Sequence, residues 1–268
     1  MGTGWLPARG RAGRVRDVLA PALFLRLLGL GLTRLNAVRA ELGLPPVCEV
    51  LELLDRCQRL LVMTSPTFDP PPSPTPHNVR YVGAGLDDPA WVEPYRLPKT
   101  VDGRPFVLVG MSSTYQAHQG LLNRIVEALA GLPVTALVTL GPALRRSEVP
   151  DAPNVAVVAS APHSDLLPEA ALMITHAGHG SVLKALSAGV PILCMPHGRD
   201  QVDNAARAVS AGAGVRMSRG AGTASIRQAV WRALGNPSLR ANAQRLAATF
   251  SAEATSRASA VDEIEQLM

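Results

Sequence analysis

The stretch that most constrains this chain runs from residue 171 to 201, ALMITHAGHGSVLKALSAGVPILCMPHGRDQ. It opens on a short apolar run, Ala171 to Ile174, of the length of a buried strand. A turn of His176, Ala177, Gly178, His179, Gly180 and Ser181 follows. Val182, Leu183 and Leu186 then fall on one side of a helix, which Gly189 ends. Val190 to Met195 is a second apolar strand, closed by Pro196, His197, Gly198, Arg199, Asp200 and Gln201. A turn between a strand and a helix start gathers free backbone N–H groups and the positive end of a helix dipole. Such a point attracts phosphate. Gly178 and Gly180 let backbone approach a ligand, Ser181 adds a hydroxyl donor, and His176 is placed to hydrogen-bond a phosphate oxygen.

A tight turn explains Gly and Ser on steric grounds alone. Two His within four residues, and a polar Asp200–Gln201 pair after the next strand, ask for more. In an open α/β sheet both clusters fall on the edge where ligands bind.

From Pro105 onward strand and helix patterns alternate. Strands are expected at 106–111, 133–140, 155–159, 171–175, 190–195 and 214–217. Helices are expected near 117–131, 179–188, 201–212, 223–235, 237–249 and 252–267. This alternation predicts an α/β domain, a parallel sheet with helices on both faces. Before Pro105 the pattern is looser. Residues 5–20 read as a loop leading into a helix, 21–42 as one or two amphipathic helices, and 46–58 as another helix. Arg59 to Thr64 and Val79 to Gly83 read as strands. Six prolines between Pro66 and Pro76 predict an extended loop. Asp87 to Arg104, polar and holding Pro89, Pro94 and Pro98, reads as an interdomain linker.

Charge narrows the function classes. The net charge is +5, yet residues 1–40 alone carry seven Arg and one Asp, so the rest of the chain stands near −1. A basic surplus confined to one segment without interleaved aromatics speaks against nucleic-acid binding. It suits an anionic surface, and peripheral contact with a membrane is expected there. The apolar run from Val18 to Leu32 is interrupted by Pro21 and Arg26 and is shorter than the roughly 20 residues of a spanning helix. Cys48, Cys57 and Cys194 lack metal-ligand spacing and fit a reducing cytosol. The expected location is therefore cytoplasmic, or peripheral at the inner membrane face.

The His176, Gly178, Ser181, Asp200 and Gln201 series, at this spacing, resembles the donor-binding signature of family 1 glycosyltransferases. That is the UDP-glycosyltransferase and macrolide glycosyltransferase group with the two-domain GT-B fold. Ala161-Pro162-His163 matches a further element in part. The resemblance covers about residues 5–267. It implies a Rossmann-like parallel-sheet domain at 98–268 that binds a nucleotide sugar, and a partial acceptor-side domain with linker at 1–97. It implies a donor site of Ser113, Ala161, His163, His176, Gly178, Gly180, Ser181, Asp200 and Gln201. Ser113 aligns with a Ser that contacts the donor diphosphate, while Ser112 and Thr114 serve equally well as helix caps. Asp200 and Gln201 align with the pair that bonds sugar hydroxyls, and Asp200 also suits an N-cap, with Asn204 orienting the pair.

Two positions depart from the plant pattern. Ser160 stands where a Trp stacks on uracil, and Lys184 stands where a Glu holds the ribose. His77, His118 and His197 read as structural or surface residues. Asp87-Asp88 is not a metal-binding element, and no metal or cofactor is implied beyond the donor substrate.

The implied reaction is inverting transfer of a hexosyl group, from a UDP- or dTDP-sugar to a hydroxyl of a lipophilic small molecule or lipid. The group's general base, a His of the N-terminal domain, has no counterpart before His77. No catalytic residue is therefore assigned, and the chain alone is expected to be impaired unless a longer form or a partner chain supplies the missing half. The alternatives are a non-catalytic nucleotide-sugar-binding fragment and one subunit of a split transferase. An epimerase of the same fold is a third, against which the Asp200–Gln201 pair stands.

Overall fold

Six parallel strands form the sheet on which the molecule is built: β3 (Phe106–Gly110), β4 (Thr135–Thr139), β5 (Val155–Val158), β6 (Ala170–Thr175), β7 (Ile192–Cys194) and β8 (Gly214–Arg216). Their order across the sheet is β5-β4-β3-β6-β7-β8. The computed structural model describes residues 3–5, 8, 10–96, 103–111, 113, 114 and 116–268. The boundary expected at 97/98, and part of the linker expected at 87–104, lie outside the described residues.

Period-two alternation divides the strand side chains between two cores. Val107 and Val109 face one side with Leu122, Ile125, Val138 and Ile226. Phe106 and Leu108 face the other with Met173, Leu183, Leu186 and Phe250. The helices α4 (Gln119–Ala130) and α8 (Thr223–Leu234) cover the first face. The second is covered by α5 (His163–Leu166), α6 (His179–Ser187), α7 (Gln201–Ser210) and α9 (Pro237–Ser256). Fully buried Leu and Ile side chains of this kind each contribute roughly 1.5–3 kcal/mol relative to exposure. These elements match the sequence expectations within a few residues. Two differences stand out: α5 was not expected, and the break expected between 249 and 252 falls later, since α9 runs to Ser256 and α10 (Ala260–Glu265) begins at a capping box made by Ser259 and Asp262.

The chain runs outward from β3 to β5, then returns to the far side of β3 as β6. The strand order therefore reverses between β3 and β6. At such a point the loops diverge and leave a crevice at the C-terminal strand ends.

The first hundred residues differ more from expectation. Helix α1 spans Arg11–Gly29 and passes through Pro21; α2 spans Leu32–Glu41. Leu, Ala and Arg are strong helix formers, and they carry the helix past Pro21 at the loss of one backbone bond. Neither helix buries a side chain. Among the described residues no single helix is long and apolar enough to cross a membrane; α1 and α2 together have that length and composition, with a 44° bend between them. The helix expected at 46–58 is only α3, Glu52–Asp55. Upstream of it the Asn36 side chain takes up both the N–H and the C=O of Val47, each at 2.9 Å, so Val47 cannot join a helix. Downstream, Asn78 donates to the Leu54 and Cys57 carbonyls and stops the helix.

The strands β1 (Leu60–Val62) and β2 (Val79–Tyr81) pair in parallel as a small second sheet. The last helices tie it to the large one. Glu253 of α9 accepts from the hydroxyls of Ser65 and Thr67, both at 2.6 Å. Glu263 of α10 faces Arg59 at 3.0 Å.

Candidate functional site

The turn after β6 is built under local strain. Ala177 adopts φ 66°, a left-handed conformation that side-chain-bearing residues rarely take. Ala117 (φ 51°) and Arg199 (φ 57°) are the other non-glycine residues of this kind among the described residues. Ala117 lies just before α4, Ala177 before α6 and Arg199 before α7. Strain of this sort persists where surrounding contacts over-determine it, and it gathers at functional sites. At Ala177 those contacts are visible. Its N–H donates to Thr175 Oγ1 at 3.3 Å, and its carbonyl accepts from Asn204 Nδ2 at 3.2 Å.

Helix α6 starts at Gly178 with no side-chain cap. Its first-turn N–H groups, at His179, Gly180 and Ser181, thus lack intrahelical acceptors and point out of the helix end. Gly178 has an ordinary φ of −61°, so its reason is not backbone freedom. A Cβ there would overlap Nε2 and Cε1 of the His176 ring, which folds back against the turn. Gly180, by contrast, has open space where a side chain would stand.

His176 is buried, and its pKa is lowered to about 4. Burial is the main cause; the nearby His197 and His118 rings add to it, while Asp200 and the Gly110 backbone oppose it. The ring is neutral at pH 7. His163 is pushed down to about 4 as well, by enclosure beside Gly110, where a Cβ would overlap the ring. Thr139 Oγ1 donates to the Val109 carbonyl at 3.2 Å and so accepts from His163 at 2.8 Å. That places the neutral ring's proton on Nε2.

A cleft of about 370 Å³ opens at the switch point. Ser113, Ala161, His163, His176, Gly178, Gly180 and Ser181 all line it. Asp200 and Gln201 do not. Gln201 is 2% exposed and both atoms of its amide have partners within the protein. Its Oε1 accepts from the N–H groups of His197 (2.8 Å) and Gly198 (3.3 Å), and its Nε2 donates to Gln116 at 3.1 Å. Asp200 begins α7, yet its side chain caps nothing. It accepts instead from Asn204 Nδ2 at 2.9 Å, the nitrogen that also reaches the Ala177 carbonyl. Asn204 therefore couples the two polar clusters that the sequence separates.

Three features of the site carry no local sequence signal. His118 is 1% exposed, lies edge-on to His197 at 6.2 Å between ring centres, and has no hydrogen-bond partner on either nitrogen among the described residues. The linker expected at 87–104 is not free at its start: Asp87, Asp88, Pro89, Trp91 and Val92, with Gly85 just before them, form a wall of the cleft. Lys184 closes that wall by pairing with Asp88, whose other oxygen accepts from the Ser164 N–H at 3.0 Å. His77 stays in the proline-rich loop, away from the cleft. Among the described residues no group of three or more His, Cys, Asp or Glu is placed to hold a metal ion. Cys194 is buried and its thiol pushed up to about 12, which makes it inert.

The parallel sheet and its uncapped helix start define a Rossmann-like domain of the GT-B glycosyltransferase type. Comparison with known proteins makes this specific. The family model described as erythromycin biosynthesis protein CIII-like, C-terminal domain, matches residues 123–267, and the chain belongs to that family. It is 32% identical over 274 residues to 4'-demethylrebeccamycin synthase of Lentzea aerocolonigenes, covering all of this chain and 64% of the relative. It superposes on CalG4, the calicheamicin glycosyltransferase, with a TM-score of 0.66 and 25% identity, over 83% of this chain and 55% of that one. The fold of glycosyltransferase VinC, solved in complex with dTDP, matches with a TM-score of 0.57 and 23% identity, over 72% of this chain and 48% of that one. The chain thus spans less than two thirds of the length of each.

Proposed function

We propose that the cleft binds the nucleotide diphosphate of a UDP- or dTDP-hexose, and that the protein transfers the hexosyl group to a hydroxyl of a lipophilic small molecule or lipid. One observation carries this reading. The uncapped start of α6, His176, Ser181 and Ser113 converge on one cleft at the switch point of a parallel sheet. The VinC complex supports a nucleotide diphosphate as ligand for this fold.

In the proposed step the acceptor oxygen forms a bond to the anomeric carbon as the bond from that carbon to the diphosphate oxygen breaks. The leaving diphosphate takes the electron pair. One displacement inverts the anomeric configuration. The α6 N–H groups, Ser181 and Ser113 are donors for the charge that develops on the leaving group, and such preorganised donors are commonly the largest catalytic contribution. His176, neutral at pH 7, contributes at most one N–H. No metal enters the step. The acceptor proton needs a base, and none of this chain's six His is assigned to it; the reading gives it to a longer form of the protein or to a partner chain.

Helix α1 exposes Val18, Leu19, Leu23 and Leu27 in the segment that holds the arginine surplus. This supports peripheral contact with an anionic membrane for that segment. Sedimentation with phosphatidylglycerol vesicles checks it, and failure to sediment assigns the face to a partner chain instead.

The test of function is a product assay with UDP-glucose and dTDP-sugars against lipophilic alcohols. We expect donor binding with little transfer by the 268-residue chain alone, because loss of general base assistance costs on the order of 10²–10⁴-fold in rate. Robust turnover would place a base among the residues set aside here, with His118 the first to substitute. Absence of donor binding would end the reading.

A further inference from the structure

Two chemically distinct groups of residues line the cleft. The α6 start, Ser113 and Ser181 suit anionic oxygen. The other group belongs to the segment that follows β2, which is fastened to the start of α5. Ser164 Oγ donates to the Leu86 carbonyl at 2.8 Å, the Ser164 N–H donates to Asp88 at 3.0 Å, and the Glu93 N–H donates to Ser160 Oγ at 3.1 Å. Between these ties the Val92 N–H closes a turn onto the Pro89 carbonyl at 2.9 Å. Trp91 occupies this turn, 50% exposed, and lines the cleft. Among the described residues it is the one aromatic in the lining that is not a His.

Trp5 and Trp231 are as exposed as Trp91, at 46% and 57%, but of the three Trp91 alone lines this cleft. In a wall of Gly, Asp, Pro and Val it offers the one large π face. A nucleoside diphosphate is the ligand that matches this division, with charge at one end and a planar base at the other.

We propose that Trp91 is the stacking platform for the nucleobase of the donor, supplied by the segment that joins the two sheets. This rests on the nucleotide-sugar reading given above. Stacking on an aromatic face tolerates any base, because every base has a π face. The Ser160 hydroxyl, in the same lining, accepts from the Glu93 N–H and so holds the segment rather than singling out a base. Trp91 therefore sets how tightly the nucleotide is held more than which base it carries, and UDP and dTDP are bound with similar gain.

The experiment is calorimetry of the 268-residue chain and its Trp91→Ala and Trp91→Phe variants with UDP, dTDP and inorganic pyrophosphate. Trp91→Ala should weaken UDP and dTDP by similar factors, about 5- to 100-fold. Pyrophosphate, which has no base, should bind all three proteins alike within about twofold, and Trp91→Phe should recover most of the nucleotide affinity. Unchanged UDP and dTDP affinity in Trp91→Ala overturns the inference alone. Loss of pyrophosphate by the same factor also overturns it, since the indole would then support the segment rather than the base. Failure of the parent chain to bind either nucleotide overturns the inference and the donor reading together.

Discussion

The ammonium of Lys184, one turn into α6, is paired with the carboxylate of Asp88 on the segment that follows β2. Both side chains are mostly enclosed, at 11% and 17% exposure. Burial pushes the Asp88 carboxyl up, but the Lys184 hydrogen bond and the Ser164 N–H outweigh it and hold the group below its usual value. The pair is what fastens the near wall of the cleft to the helix whose N-terminus forms the far one.

A double-mutant cycle measures that fastening. Asp88→Ala and Lys184→Ala should each destabilise the fold, and the coupling energy from urea denaturation should be about 1–2 kcal/mol, between values for exposed and for buried pairs. Strict additivity of the two substitutions would show that the pair does not hold the wall.

Two glycines in the same turn should respond in opposite ways. Gly178→Ala puts a Cβ into the His176 ring, so that ring must move, although the backbone there accepts any residue. We expect it to fold and to bind UDP roughly tenfold more weakly, the equivalent of about 1.4 kcal/mol. Gly180→Ala meets open space within α6 and should leave stability unchanged or raise it by up to about 1 kcal/mol through helix propensity. Thermal melts together with UDP titration separate the two. Equal effects of both substitutions on melting would refute the account of Gly178.

Sequence made the C-terminal half legible because its signals are local. Strand length, two-sided apolar runs and helix stops placed β3 to β8 within a few residues. The His176–Ser181 turn was visible for the same reason, since backbone N–H groups at a helix start follow from chain order alone. The first hundred residues were harder. Residues 5–20 and 21–42 read as separate, yet one helix runs through Pro21, and the Asn36–Val47 hydrogen bonds that keep Val47 out of a helix join residues eleven apart. The near wall of the cleft was missed because Asp88 and Trp91 matter only through docking onto α5 and α6, which no local pattern encodes. Asp200 and Gln201 read as donor-binding, with Asp200 also suiting a cap; neither lines the cleft, and the Asp200 carboxylate turns to Asn204.

Stability should depend on pH through the buried imidazoles. His163 and His176 are lowered to about 4 from an ordinary 6.5. Between these values the unfolded chain binds protons that the folded one does not, so stability is complete above about 6.5 and is lost as pH falls toward 4. The shifts correspond to roughly 2–4 kcal/mol for each ring. Urea midpoints at pH 7.5 and pH 5 should differ accordingly, and His163→Gln should flatten the slope. A slope unchanged in that variant would mean that His163 titrates normally in the fold.

The central claim is that the α6 start with His176 and Ser181 is the diphosphate site. Titration calorimetry of UDP into the parent chain and into His176→Ala and Ser181→Ala tests it most directly. The account predicts saturable binding by the parent and a loss of about 1–3 kcal/mol in each variant, the cost of removing one donor to a charged group. Equal affinity in all three proteins would contradict it, because the diphosphate would then be held somewhere other than at this turn.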